Sequence, residues 1–158
     1  MKLYIKEKVF SWGDKFYVKD ALGNDRYVVE GEVFTLGKKL HVYDMLGREA
    51  AFIKQELMTF LPRFTVWSGG EEIAQVKKEF SFLVPRYSIE GLGWVIEGSF
   101  WEHDYRITQN GAPIVTITRE WMTWGDSYEL DIAPGADEIL ALAVVLTIDC
   151  VREAQSNN

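Results

Sequence analysis

Two aspartates in matching sequence contexts are the first candidates for chemistry. Asp20 and Asp44 stand 24 positions apart, and each precedes a turn of the form x-Leu-Gly. A pair of carboxylates is the usual equipment for general acid and base catalysis. An aspartate at the start of a turn also accepts hydrogen bonds from the backbone amides that follow it. Because the two contexts repeat, we predict the structural role for both residues.

A second candidate is the adjacent pair His103 and Asp104. A hydrolase would also need a nucleophile, and the chain contains no Gly-x-Ser-x-Gly elbow. Neighbouring residues of a strand point to opposite faces, so these two side chains are poorly placed to work together. The sequence therefore predicts no catalytic residue, and we expect that the protein is not an enzyme.

Soft metal ligands and reactive thiols are scarce. The single cysteine, Cys150, excludes an internal disulfide, and the two histidines, His41 and His103, are far apart in the sequence. Cys150 also follows an apolar segment, whereas a reactive thiol needs an electropositive and partly open setting. We expect a buried structural cysteine, no metal site and no cofactor.

Composition places the chain among folded proteins of the cell interior. It has 158 residues, is 47% hydrophobic and 14% aromatic, and carries 17 basic against 24 acidic residues, a net charge of −7. These values fit one domain over 1–158 and argue against a disordered chain or a general nucleic-acid binder. The charged N-terminus does not resemble a signal peptide, and no apolar run is long enough for a membrane span. We expect a cytoplasmic protein.

The first 130 residues have the pattern of repeated hairpins. Segments beginning at Phe16, Leu40, Phe64 and Tyr105 each contain a β-prone run, a turn with glycine and a second β-prone run. Glycine supplies the positive φ that tight turns require. Three further segments are predicted to be return strands: Glu32-Val33-Phe34, Glu56-Leu57-Met58 and Phe80-Ser81-Phe82. About a dozen short antiparallel strands over 2–132 favour a closed barrel, which removes exposed sheet edges.

The last quarter predicts one helix, over about 135–154. Pro134 and Gly135 precede two acids, and 139–148 is apolar on every side. A helix of this kind is buried all round, so we expect it to run through the barrel. Its predicted core residues are Ile139, Leu142, Val145 and Leu146.

These features together resemble the LURP-one-related family, which is similar in fold to the tubby C-terminal domain and the phospholipid scramblases. The resemblance covers essentially the whole chain. It is carried by Leu61-Pro62-Arg63-Phe64-Thr65-Val66, by Gly93 to Phe100, by Asp104-Tyr105-Arg106-Ile107 and by Asp137 to Asp149. It implies a closed barrel of about twelve strands around a C-terminal helix. It implies little about activity, because fold does not determine function.

Tubby-like domains hold phosphoinositide head groups in a cationic pocket, so the resemblance directs attention to lysines. The candidate residues for an anionic head group are Lys2, Lys6, Lys8, Lys77 and Lys78, with Lys38-Lys39 as a further basic pair. Each basic residue near an anionic membrane contributes about 1 kcal/mol. The net charge of −7 opposes such binding unless the charges segregate. The alternative is a solvated face whose lysines protect sheet edges.

Scramblases respond to calcium, so Asp131, Asp137 and Glu138 are candidate oxygen ligands for a hard cation. The chain lacks the spaced acidic loop typical of calcium sites, and acids at a helix start also complement the helix dipole. We favour the dipole role for these residues.

A tryptophan-rich stretch, Trp121 to Asp126, is a candidate exposed patch for lipid or protein contact.

Taken together, the sequence predicts a non-enzymatic binding or scaffold module that recognises a lipid head group, such as a phosphoinositide, or a protein partner on the outer barrel surface. The alternatives are a calcium-responsive, scramblase-like lipid handler and an enzyme with an unrecognised site.

Overall fold

A computed structural model describes residues 1–6, 15–32, 35–120 and 127–156. These residues form twelve β-strands, one short 3₁₀ turn and one α-helix. The strands are β1 (Lys2–Lys6), β2 (Lys15–Asp20), β3 (Asp25–Gly31), β4 (Lys39–Asp44), β5 (Glu49–Gln55), β6 (Arg63–Ser68), β7 (Glu71–Glu79), β8 (Arg86–Glu90), β9 (Trp94–Ser99), β10 (Asp104–Gln109), β11 (Ala112–Glu120) and β12 (Ser127–Ile132). The 3₁₀ turn is Phe100–Glu102, and the helix α1 is Glu138–Ser156.

All twelve strands belong to one antiparallel sheet, in the order β8-β7-β6-β5-β4-β3-β2-β1-β12-β11-β10-β9. Among these twelve strands, each pairs with the strands before and after it in the chain, except that β8 and β9 do not pair. In addition β1 pairs with β12, where Leu3 lies opposite Leu130. The strands β8 and β9 stand at the two ends of this order and are joined by the short connection 91–93. The sheet therefore curls into a nearly closed barrel, which confirms the predicted fold.

The hairpin turns have the predicted structure. The carboxylate of Asp20 accepts hydrogen bonds from the amides of Leu22 and Asn24, both at 2.9 Å. The carboxylate of Asp44 likewise accepts hydrogen bonds from the amides of Leu46 at 2.9 Å and Arg48 at 3.0 Å. These amide donors lower the pKa of both aspartates, Asn24 being the main donor to Asp20 and Arg48 to Asp44. Both aspartates are turn residues rather than a catalytic pair.

Two of the three predicted return strands are wrong. Glu56–Met58 and Phe80–Phe82 lie in loops that follow β5 and β7, and Met58 has a positive φ of 61°. The strands β5 and β7 already pair on both sides, so a further strand in each unit has no neighbour to bond with. Of the third segment, Glu32 follows β3 outside any strand, and 33–34 lie outside the described residues.

The helix begins three residues later than predicted and ends two residues later. Asp137 caps it, since its Oδ1 accepts a hydrogen bond from the Leu140 amide at 3.0 Å. Pro134 and Gly135 belong to the preceding turn instead, where Gly135 has a φ of +83°. A residue with that φ cannot continue a right-handed helix, so the helix starts after it.

The helix is the centre of the core. Every residue from Ala141 to Val151 is buried, as expected for a helix that is apolar all round. Leu142, Val145 and Leu146 are completely inaccessible, whereas Ile139 is partly buried at the helix start. The inward-facing side chains of the strands, such as Val66 of β6, surround it. No helix among the described residues is long and apolar enough to cross a membrane.

Candidate functional site

The strand directions divide the barrel into two different ends. Because all neighbouring strands are antiparallel, the connections after β2, β4, β6, β8 and β10 lie at one end, here called the turn end. The connections after β3, β5, β7 and β9 lie at the other, here called the loop end. The helix starts at the turn end, where Glu138 contacts Arg26, and finishes at the loop end, where Glu153 contacts Lys38. Each end can therefore be described as a separate surface.

Large apolar side chains are exposed on three neighbouring segments of the loop end: 35–38, 56–62 and 80–85. We call this set the apolar crown; it comprises Leu36, Leu57, Met58, Phe60, Phe80, Phe82, Leu83 and Val84. Phe60 and Leu83 are each 95% exposed. Single exposed apolar residues are ordinary, but a cluster on adjacent loops is typical of an interaction surface.

Local contacts hold part of the crown in place. The rings of Phe80 and Phe82 meet edge to face with centroids 5.2 Å apart. Between them Ser81 donates a hydrogen bond from its hydroxyl to the Val84 carbonyl at 2.6 Å. The loop therefore closes on itself and leaves both rings on the outside. The exposure of the two rings thus goes with a loop conformation that a hydrogen bond of its own holds.

Basic side chains stand at the strand ends directly behind the crown. We call them the cationic border: Lys39, Lys54, Arg63, Lys78 and Arg86. Within the described ranges, none of the five is in an ion pair. Cations of the turn end are bound to carboxylates instead: Lys19 to Asp25 at 2.6 Å, and Arg48 to Asp44 at 2.8 Å. Arg26 is likewise bound to Glu138 at 2.5 Å. The five cations of the border thus lie at the loop end without a direct carboxylate partner among the described residues, although Glu32, Glu56 and Glu79 lie at the same end.

The lysines predicted to bind a head group do not form one patch. Lys2 lies at the turn end and pairs with Glu129 at 3.3 Å, whereas Lys6 is exposed at the loop end. Lys77 pairs with Glu90 at 2.7 Å.

Lys78 belongs to the cationic border, and Lys8 lies outside the described residues. Five strands separate β1 from β7 in the sheet order, which places the two lysine groups on different sides of the barrel. Head-group binding by these lysines stays a prediction.

Lys38 is not part of any surface patch, contrary to the sequence interpretation. It is only 4% exposed, and its Nζ lies 2.5 Å from Glu153 Oε2 on the helix. A buried lysine needs such a partner, because burial of a lone charge is costly. Only its neighbour Lys39 is available to a ligand.

The three acids near the helix start have separate structural roles. Asp137 caps the helix, and Asp131 is exposed on β12. Glu138 accepts hydrogen bonds from Arg26 at 2.5 and 3.0 Å and from the Tyr27 hydroxyl at 2.9 Å. Burial tends to raise the pKa of Glu138, but these two donors lower it below its usual value. Among the described residues no three ligand side chains converge on a metal position.

His103 is buried and Asp104 is exposed, so the two side chains do not work together, but His103 lies outside β10 and the strand alternation assumed in the prediction is not the reason. His103 also has a partner that the sequence did not reveal. It lies in the left-handed region (φ 53°) after the 3₁₀ turn and is 2% exposed. Its Nε2 lies 3.0 Å from Asp149 Oδ1, and its ring stacks on Tyr128 at 4.0 Å. The Tyr128 hydroxyl donates a hydrogen bond to the other oxygen of Asp149.

One sequence signal could have pointed to this cluster: Asp149 is a lone acid after ten apolar helical residues. A buried carboxylate must find donors, and His103 and Tyr128 supply them. Burial is also the main reason why the pKa of Tyr128 lies well above its ordinary value, and the charge of Asp149 adds to it. The cluster fastens the helix to the barrel wall.

Cys150 is fully buried beside this cluster, as predicted. Burial raises the pKa of its thiol to about 12, which leaves it an unreactive core residue. The tryptophan-rich stretch 121–126 lies outside the described residues.

The architecture defines a class: antiparallel β-barrels of twelve strands built around a C-terminal apolar helix. Within that class, the chain belongs to the LURP-one-related family, whose model matches residues 1–149. It is similar to the "Uncharacterized protein YxjI" of Bacillus subtilis (strain 168), with 34% identity over 151 residues, 96% of this chain and 93% of the relative. Its fold is also similar to an X-ray structure of an Arabidopsis thaliana protein. That likeness has a TM-score of 0.70 at 18% identity and covers 96% of this chain and 90% of the other.

Proposed function

We propose that the protein is a non-enzymatic binding module that docks its loop end on an anionic membrane surface. The observation that carries this proposal is the apolar crown on three adjacent loops, bordered by five cations that have no ion-pair partner in the part of the chain that the structure describes. Apolar side chains that enter the interface gain about 25 cal/mol for each Å² removed from water. Basic side chains behind them meet the lipid phosphates, and each adds about 1 kcal/mol.

Part of the net charge of −7 lies far from the proposed contact surface. Glu30, Glu32, Glu56 and Glu79 lie at the loop end, but further acidic residues lie at the turn end: Asp20, Asp25, Asp44, Glu49, Glu71, Glu72, Asp137 and Glu138. In the proposed orientation the turn-end acids are held away from the anionic surface by the length of the barrel. Exposed charges separated by more than the Debye length of about 8 Å are largely screened at physiological salt.

The test is co-sedimentation with vesicles that are neutral, anionic or phosphoinositide-containing, at low and at physiological salt. We expect binding to anionic vesicles that weakens as salt rises, because the cationic border contributes electrostatically. Addition of calcium tests the scramblase-like alternative, since a calcium-dependent lipid handler binds only when calcium is present.

Matched variants locate the binding surface. Phe60→Asp with Phe82→Asp removes two crown side chains and should abolish binding. Leu22→Asp with Leu46→Asp makes the same change at two exposed positions of the turn end and should leave binding intact.

Charge reversal gives a second matched pair. Arg63→Glu with Arg86→Glu should reduce binding at low salt, whereas Arg48→Glu at the turn end should not. Thermal unfolding of each variant shows that the fold is retained. Absence of binding to every vesicle type would refute the membrane proposal, and the crown would then be a surface for a protein partner.

A further inference from the structure

The outer wall of the barrel carries a groove on β5 and β6 that shares Lys54 with the cationic border but otherwise lies outside the loop-end surface. It encloses about 460 Å³, within the range of small-molecule sites. Its lining residues are Glu49, Ala50, Ala51, Phe52, Lys54, Trp67, Ser68, Gly69 and Gly70. Most of the other lining residues are small, so the rings of Phe52 and Trp67 form the main surface that a ligand would contact.

The rings belong to a row that crosses three strands. The register places His41 of β4 opposite Phe52 of β5, and Phe52 opposite Trp67 of β6. The rings of His41 and Phe52 are 4.7 Å apart. The indole N–H of Trp67 donates to the Thr65 hydroxyl at 3.2 Å, which fixes the ring. Phe52 and Trp67 are half-buried, so each is held by packing while still lining the groove.

Carboxylates lie on both sides of this row. Glu72 of β7 is opposite Trp67 in the register, and Glu71 is opposite Ser68. On the other side, Glu49 lies 3.3 Å from His41 Nδ1, and Glu32 lies 3.3 Å from the Nε2 of the same ring. The face of an aromatic ring is itself negative and attracts cations, most strongly in tryptophan. Rings and carboxylates together favour a positively charged ligand.

We infer that this groove binds a small organic cation with an alkylated ammonium group, seated on Phe52 and Trp67 near Glu49. An alkylated ammonium suits the site because its methyl groups pack on the rings while its charge faces the carboxylates. Among the described residues of the lining, Lys54 is the one cation, and it lies at the opposite end of the groove, towards the loop end of β5. It disfavours a ligand that extends along the whole groove and confines the ammonium group to the Glu49 end.

The probe is choline, measured without vesicles, so the result is independent of the membrane proposal. The indole ¹⁵N–¹H resonance of Trp67, assigned through Trp67→Phe, reports binding at the groove. Titration with 3,3-dimethylbutan-1-ol, the uncharged carbon analogue of choline, separates the effect of charge from that of shape. We expect choline to shift the Trp67 resonance and its neutral analogue to bind at least about tenfold more weakly.

Variants with opposite expected effects make the test specific. Trp67→Leu should weaken choline binding about tenfold, and Glu49→Gln should weaken it to a smaller degree. Lys54→Gln should strengthen binding, because it removes the only positive charge that the described residues contribute to the lining. Tyr17→Leu is the matched control and should leave choline binding unchanged. Tyr17 is an exposed aromatic residue on β2, and its ring centroid lies 5.9 Å from the Lys15 Nζ.

The proposal is overturned by any of three results. These are no shift of the Trp67 resonance up to 50 mM choline, equal affinity for choline and its neutral analogue, or weaker binding by Lys54→Gln. The second result would leave an apolar groove without charge selectivity. Binding of lysine-rich peptides without binding of choline would also overturn the proposal, because the groove would then be part of a protein interface.

Discussion

The Nζ of Lys38 lies 2.5 Å from Oε2 of Glu153, which joins the segment before β4 to the last turns of the central helix. Their side chains are 5% and 23% exposed. The backbone amide of Lys38 also donates to the side chain of Gln55 at 2.9 Å. A second link at this end is the hydrogen bond from the Tyr87 hydroxyl to Gln155 at 2.7 Å. The 35–38 loop, which carries Leu36 of the apolar crown, is therefore bonded to the helix, and so is β8, the strand that follows the 80–85 loop.

Removing one partner of this ion pair should destabilise the fold more than replacing both partners with apolar residues. We expect Lys38→Met to cost about 3–5 kcal/mol of unfolding free energy, because it leaves Glu153 partly buried without its partner. The double variant with Glu153→Leu should lose less than the sum of the two single changes. Urea unfolding of all four proteins gives the coupling energy, for which we expect about 1–3 kcal/mol. Strict additivity would mean that the two charges do not stabilise each other.

A charge in the middle of the helix should prevent folding. Val145 is completely inaccessible in the barrel interior, so Val145→Asp buries a carboxylate with no donor prepared for it. We expect a loss of more than about 4 kcal/mol, and circular dichroism should show no cooperative thermal transition. Leu22→Asp, at a position that is 85% exposed, is the control and should melt like the parent protein. A Val145→Asp protein that unfolds cooperatively at the parental temperature would be incompatible with a buried central helix.

Glu138 should contribute to the loss of stability in acid. Burial raises the pKa of Glu138, but the hydrogen bonds from Arg26 and Tyr27 together lower it by more than burial raises it. The folded-state pKa therefore lies below the ordinary value of 4.5. A carboxylate with a depressed pKa stabilises the fold above its unfolded-state pKa. That contribution disappears as the pH falls through the folded-state value. Unfolding free energies at pH 7 and pH 3 should therefore differ less in Glu138→Gln than in the parent protein.

Arg26→Gln removes the same ion pair from the other side and should reduce the acid sensitivity in the same direction. An unchanged difference between pH 7 and pH 3 in both variants would show that this contact does not contribute to acid unfolding.

The thiol of Cys150 should not react with thiol-specific reagents in the folded protein. Its pKa of about 12 leaves roughly one molecule in 10⁴ as thiolate at pH 8, against about one in ten for a thiol at the ordinary value of 9.0. Burial also blocks the reagent. We expect labelling by a thiol-specific disulfide reagent to be at least about a thousand times slower in buffer than in 8 M urea. Equal rates in the two solutions would show that the end of the helix opens freely.

The strand pattern, the turns and the apolar helix could be predicted because each depends on local chemistry. Alternation of Leu3 and Ile5 with polar residues, and the matched turns at Asp20 and Asp44, reflect preferences within a few residues. The uniformly apolar segment from Ile139 to Ile148 has one stable environment, a core that surrounds it. Two of the predicted return strands were wrong because a β-prone run becomes a strand only when a neighbour has free backbone groups to pair with. The runs after β5 and β7 have no such neighbour.

The candidate surfaces depend on which distant residues the barrel brings together. Phe60 and Phe82 are 22 positions apart in the sequence, and they share one end of the barrel because strand direction alternates. Lys38 and Lys39 are neighbours, yet one is buried against Glu153 and the other is available to a ligand. Residue type and spacing thus establish a helix-centred barrel. The distribution of exposed apolar and charged side chains over its two ends follows from long-range packing, which no local pattern records.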